Sequence, residues 1–318
     1  MRALYSRLIG AAAGLCLAAG LLCACGEDNP DKPGGGDNGN GKETEEIPIT
    51  EISTLRVMSF NILREDLPKG EGNEKYRWPA RREACLAMIA ARQPMVFGLQ
   101  ECSWTERRHI LASNDLFGVV GVAVDGQKSG YTDVSSNPIF WRKDILEKEE
   151  WGTFWLSDTP NVTGSITWNG IKPRTCTWAR FKVRCNGKRF FYFNAHVENA
   201  AGEETKEKSI ALIIERMQTA NPSGAVPMIF GGDMNSVSTA AALKAMMDYL
   251  EHAPTYCAST DTGRTLNSFK ETGGSAIDHL FYSRNLFNGI KFYVDRSAYA
   301  GVTYISDHYP IFCELEFN

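Results

Sequence analysis

From residue 54 onward the polarity pattern switches between an alternating period and a helical one, which predicts strands interleaved with helices. Leu55-Arg56-Val57-Met58-Ser59-Phe60-Asn61 alternates and predicts a strand. Trp78-Pro79 predicts the start of a helix reaching about Arg92, with proline at an early position where its missing N–H costs little. Met95 to Glu101 is a short apolar strand that ends on polar residues. A helix follows from about Trp104 to Ala112. Strands are predicted at Phe117 to Val124, at 137–143 and at 148–155. Cys176 to Val183 and Arg189 to Val197 alternate well, and Asn186-Gly187 between them is a strong hairpin signal. Residues 204–219 predict an amphipathic helix, Val226 to Phe230 a buried strand and 239–250 another helix. Strands at 277–282, 289–295 and 310–317 complete the chain.

Buried strands that end in acids, amides or histidine deliver them to one edge: Asn61, Glu101, Asn194 with His196, Asp233 with Asn235, and Asp278. The two halves also look alike, each with strands, a helix, then a strand carrying polar residues at its C-terminal end. This predicts an α/β fold, a four-layer sandwich of two packed mixed β-sheets with helices on the outer faces. Neither GxGxxG nor GxxxxGK[ST] occurs, so no dinucleotide or P-loop cradle is indicated.

The N-terminus has a different pattern. Arg2 and Arg7 precede an apolar run from Leu8 to Cys25, the layout of a signal peptide over residues 1–25. Leu22-Cys23-Ala24-Cys25 resembles a bacterial lipobox, which would make Cys25 the lipidated first residue of the mature chain. Residues 26–50 are rich in Gly, Pro, Asn and acids, have no apolar residue before Ile47, and read as a flexible tether. Residues 51–318 form a single domain. The expected location is the cell envelope, on an outer membrane, facing the periplasm or the exterior.

Charge follows the same division. The net charge is −4, the first 25 residues carry only two arginines, and residues 26–50 carry seven acids against two lysines. The remaining body is left at about −1. That excludes a strongly basic wrapper of duplex nucleic acid. Six cysteines remain in the body, Cys85, Cys102, Cys176, Cys185, Cys257 and Cys313. None forms a CxxC pair, so a structural zinc site is not indicated, and both disulfides and buried thiols stay open.

The candidate chemistry lies at the strand ends. Gly231-Gly232 lets the backbone approach closely, and Asp233 and Asn235, two apart, face one site if the strand continues. An Asx turn is the competing reading. Asp307-His308 precedes the last strand, and Asp278 is a candidate to fix the tautomer of His308. Glu101 ends an apolar strand as a hard-metal ligand would. Carboxylates and amides without a His/Cys cluster favour Mg²⁺ or Mn²⁺.

In their order and spacing, SFNIL (59–63), GLQE (98–101), FNAHVEN (193–199), GGDMN (231–235), IDHLF (277–281) and SDHYP (306–310) resemble the endonuclease/exonuclease/phosphatase superfamily, the group of deoxyribonuclease I. The resemblance spans residues 55 to 318, and TFWLSDTP (153–160) and KPRTCTWARF (172–181) are similar to a secreted and surface bacterial subgroup. It implies a deoxyribonuclease I-like sandwich and metal-dependent cleavage of phosphoesters by water. Carried over, Glu101 would be the principal metal ligand, with Asn61 beside it and Asp307 assisting. Asp233 would orient or deprotonate the attacking water, and Asn235 would hold that water or a phosphate oxygen. His308, oriented by Asp278, would transfer a proton or stabilise phosphate, and His196 would contact the scissile phosphate. Asn61 would also border the substrate. Arg174 is either a further phosphate contact or part of a surface salt bridge.

Two departures stand out. Many relatives carry NTHLDH where this chain has NAHVEN, so Glu198 and Asn199 replace an acid and a histidine. Many also carry a glutamate where this chain has Ser135, with Asp133 the closest acid, which leaves the support of His196 open. Expected substrates are phosphorylated small molecules, lipid headgroups or nucleic acid, and the near-neutral body favours the first two. An extracellular nuclease and an inactive surface binding protein are the alternatives. A monomer anchored to membrane by its lipid is the expected assembly.

Overall fold

Side chains of the first strand, β1 (Thr54–Asn61), alternate between two cores, and this alternation sets the layers of the molecule. Leu55 and Val57 point into the core between two sheets, while Met58 and Phe60 point to an outer core under helices. The computed structural model describes residues 52–126, 136–200 and 202–318. The expected signal peptide with Cys25, the tether, Asp133 and Ser135 lie outside these residues.

The first sheet also contains β2 (Val96–Gln100), β3 (Phe117–Val120), β4 (Ile139–Arg142), β10 (Ser259–Asp261), β12 (Phe287–Val294) and β13 (Ile311–Phe317). Its order is β10-β12-β13-β1-β2-β4-β3. The second contains β5 (Leu146–Trp155), β6 (Thr175–Val183), β7 (Arg189–His196), β8 (Met228–Asp233), β9 (Glu251–His252) and β11 (Asp278–Tyr282), in the order β5-β6-β7-β8-β11-β9. Both sheets are mixed. At the heart of each lies a parallel pair joined by a helix: β1 to β2 through α1 (Trp78–Arg92), and β7 to β8 through α3 (Glu203–Ala220). The likeness of the two halves is real at this level.

Helices α1 and α2 (Trp104–Ser113) cover the first sheet through Trp78, Met88, Ile89 and Ile110. Helices α3 and α4 (Lys244–Tyr249) cover the second through Ile210, Ile213, Met217 and Met246. Leu55, Val57, Val96, Phe181, Tyr192, Ile229 and Leu315 fill the space between the sheets. The order is therefore helix, sheet, sheet, helix, as the pattern predicted. A short α5 (Ala253–Tyr256) follows β9. Among the described residues no helix is long and apolar enough to cross a membrane.

The inter-sheet core is not wholly apolar near the strand ends. The Asn194 amide donates to the carbonyls of Leu99 and Pro138 at 2.8 and 2.9 Å, and its oxygen accepts from Gln100 Nε2 at 2.7 Å. Tyr192 donates its hydroxyl to Met58 O at 3.0 Å and accepts from Gly98 N at 3.1 Å. These bonds pin the two sheets at a set register. Gly98 is required there, because a Cβ would lie 2.5 Å from Asn194 Cγ. Asn194 thus belongs to the brace between the sheets rather than to the open edge.

Several expected boundaries move. The strand from Phe117 stops at Val120, because Gly121 turns the chain at φ 121°. Asn186-Gly187 does not close a two-residue hairpin; the turn runs over 184–188, with Gly187 N donating to Val183 O at 2.8 Å. The helix expected over 239–250 starts late, since residues 237–240 close a turn of their own and Ala240 is extended. All six body cysteines are free thiols, with Cys185 exposed and the rest buried.

Candidate active site

Strand register assembles the site. Asp233 at the end of β8 lies opposite His196 of β7 on one side and Asp278 of β11 on the other. Three candidate site residues therefore form one row across the sheet. This needs a tight backbone: Gly232 has φ 148°, and a Cβ there would sit 1.9 Å from Ala195 O.

His308 reaches the row from the loop before β13. Its Nδ1 lies 2.8 Å from Asp278 Oδ2 and its Nε2 3.8 Å from Asp233 Oδ2. Burial opposes protonation of this imidazole, but the Asp278 and Asp233 carboxylates outweigh it and push it up to about 10. Nδ1 donates to Asp278, which leaves Nε2–H facing the site. Burial, helped by the charge of Asp278, pushes Asp233 up to about 7. Its Oδ2 accepts from Asn61 Nδ2 at 3.0 Å, and its Oδ1 accepts from Asn235 N at 2.9 Å.

That last bond is the Asx turn that stood as the alternative to a functional role for Asn235. Asn235 adopts φ 48°, and its Nδ2 lies 3.1 Å from His196 Nε2 and donates to Val197 O at 2.9 Å. The turn is what aims Asn235 at His196. His196 itself is held well below its usual range, chiefly by burial and then by the charges of Arg174, His308 and Lys172. It is a neutral imidazole whose Nε2 is 3.5 Å from Asp233 Oδ2.

Glu101 follows β2 in a left-handed conformation, φ 58°, and half-buried, with Asn61 Nδ2 3.5 Å from its Oε1. Burial and then the charge of Glu101 raise the carboxyl of Asp307. Asn61, Glu101, Asp233 and Asp307 thus share one acidic corner. The ligating atoms of Asp233, Asp278 and His308 also lie within 4.8 Å of one another. Asp278 Oδ1 is buried without a hydrogen-bond partner. The carboxylates crowded at the corner of Glu101, Asp233 and Asp307 suit a hard divalent cation.

Arg174 is brought near the site but is paired with Glu198, at 3.3 Å. The salt-bridge reading therefore describes its resting contact, and its charge still reaches His196. Sequence reasoning missed the bracing. Asn267 N and Ser268 N donate to Asp307 O at 2.7 and 2.9 Å, and Asn267 Nδ2 donates to Ser306 O. Ser306 Oγ donates to Asn61 O at 2.7 Å. No local signal marks Asn267, because its role depends on a loop brought back from elsewhere in the chain.

A sequence profile of the Endonuclease/Exonuclease/phosphatase family matches residues 58–308. The chain belongs to this family of hydrolases. It is 28% identical to the mannosyl-6-phosphatase of Bacteroides thetaiotaomicron, whose solved structure superposes with a TM-score of 0.74 over 83% of this chain and all of that one (100%). An endonuclease/exonuclease/phosphatase from Bacteroides vulgatus is 25% identical, with a TM-score of 0.75 over 84% of this chain and 100% of that one. An uncharacterized mimivirus protein, L388, is 24% identical over 81% of this chain and 98% of its own length.

Proposed function

We propose that this protein is a divalent-cation-dependent phosphohydrolase of small or lipid-derived phosphoesters, carried in the cell envelope as a monomer on a lipidated Cys25. The observation that carries the reading is the row His196, Asp233, Asp278 with His308 closing it at 2.8 Å. A base, a charged imidazole and a neutral imidazole converge there on one point.

A Mg²⁺ or Mn²⁺ ion, held by Glu101 with Asn61 and Asp307 alongside, would neutralise charge on the non-bridging phosphate oxygens. The remaining chemistry falls to the side chains. Asp233, with a carboxyl at about 7, is a base matched to neutral pH for taking a proton from water. His308 keeps its proton, held by Asp278, and offers Nε2–H to the phosphoryl oxygens or the leaving oxygen. Asn235 holds the water or an oxygen, and neutral His196 contacts the phosphate from the opposite side. The water attacks phosphorus directly, and the alcohol leaves with a proton.

The preference for small substrates draws support from the near-neutral body and from the mannosyl-6-phosphatase neighbour. Release of phosphate or p-nitrophenol from a panel of mono- and diesters, in Mg²⁺ and in EDTA, tests the proposal. Turnover in Mg²⁺ that EDTA abolishes is expected. A folded protein that hydrolyses nothing would leave the binding-protein reading, and selective cleavage of DNA would favour the nuclease.

A further inference from the structure

Glu198 occupies an unusual position. It lies two residues past His196, its side chain is 4% exposed, and it accepts from five donors. Oε2 takes the backbone N–H groups of Ile171 and Lys172, both at 3.2 Å. Oε1 takes Arg174 Nη2 at 3.3 Å and the N–H groups of Asn199 and Ala200 at 2.9 and 3.2 Å. One carboxylate therefore ties the segment 171–174 to the end of the strand that carries His196.

The segment is held from other sides as well. Arg174 O accepts from Leu156 N at 2.8 Å, Thr175 is bound by Asn137 Nδ2 at 2.9 Å, and the Thr205 hydroxyl of α3 donates to Trp168 O. Five donors on one buried carboxylate make a rigid mount rather than a surface ion pair. What it mounts is cationic: exposed Lys172 and mostly buried Arg174, whose Nε is buried without a hydrogen-bond partner. The charges of both residues reach His196.

We propose that the segment 171–174 is the element that recognises a terminal phosphate, with Lys172 and Arg174 as its cations and Glu198 as the positioning residue. The proposal rests on the phosphohydrolase reading of the same site. Its physical reason is charge. A terminal phosphate carries a second negative charge near neutral pH, and a diester carries only one. Lys172 and Arg174, against the one negative charge of their mount Glu198, leave one net positive charge that complements that second charge, in a body whose net charge is otherwise near zero. The selected substrate class is therefore a phosphomonoester.

The test is calorimetric titration with inorganic phosphate, together with the ratio of kcat/KM for p-nitrophenyl phosphate to that for bis-p-nitrophenyl phosphate. Wild type, Lys172→Ala, Glu198→Gln and Glu198→Ala are compared. Lys172 is exposed, so its variant folds. Lys172→Ala should weaken phosphate binding about fivefold to tenfold, the scale of one charge-assisted hydrogen bond. It should lower the monoester-to-diester ratio of kcat/KM by a similar factor. Glu198→Ala should do the same more strongly, and Glu198→Gln, which keeps an acceptor for the backbone, should recover part of the loss. Phosphatidic acid in phosphatidylcholine vesicles forms a parallel arm: loss with the soluble ester alone, or with the lipid too, shows which source of terminal phosphate the segment admits. Unchanged phosphate affinity and ratio in Lys172→Ala would overturn the proposal. A wild type that binds phosphate through Lys172 but hydrolyses no ester would instead overturn the phosphohydrolase reading and leave the recognition element standing.

Discussion

Burial raises the carboxyl of Asp233, and ionising it there destabilises the fold. It is 1% exposed, it sits in register with Asp278, and its carboxyl is pushed up to about 7. A carboxyl raised on folding contributes stability below its unfolded value and loses it as pH rises through the folded one. Ionised Asp233 therefore costs nothing below about pH 4 and its full amount above about pH 7. In EDTA, the melting temperature of Asp233→Asn should gain on that of the parent protein as pH rises through this window, while activity is lost. A gap that stays constant with pH would contradict the assignment. Asp278→Asn should leave the fold intact but release His308, lowering kcat by about 10²–10⁴-fold with little change in KM. The types and spacing of these residues were legible because each ends, opens or precedes a strand predicted from the polarity pattern. The double life of Asn235, at once an Asx turn and a contact of His196, was not. That requires φ 48° and a partner on another strand.

At the level of elements, paired strands and the helices between them were readable from periodicity, because burial on one face or two imposes it. Boundaries shifted where a single backbone conformation overrode the pattern, as at Gly121. The inter-sheet brace was illegible. Asn194 reads as a strand-end polar residue, and only the facing sheet turns it into a cross-link to Leu99, Pro138 and Gln100. Asn194→Ala should cost roughly 2–4 kcal/mol in urea unfolding, since it strands buried donors and acceptors. Gly98→Ala should cost roughly 1–3 kcal/mol by overpacking against Asn194. The two should be strongly non-additive, because removing the Asn194 side chain opens the space that the new methyl needs. Simple additivity would show that the brace does not act at this point.

For the whole molecule, the sandwich explains why residues spread from Asn61 to His308 converge. Parallel pairs at the heart of both sheets bring strand ends to the same edge, and the brace keeps the two edges in register. The body's charge near −1 hides a local contrast. Carboxylates crowd at Glu101, Asp233 and Asp307, while the positive charges of Lys172 and Arg174 reach His196. The first is the proposed site of the divalent ion and the second that of the phosphate. Cation-dependent attack of water on phosphorus is the central claim, and oxygen isotope labelling tests it most directly. Hydrolysis of a phosphomonoester in ¹⁸O-water with Mg²⁺ should place the label in the released phosphate and leave the alcohol unlabelled, with no release in EDTA. Label in the alcohol, or release that persists in EDTA, would contradict it.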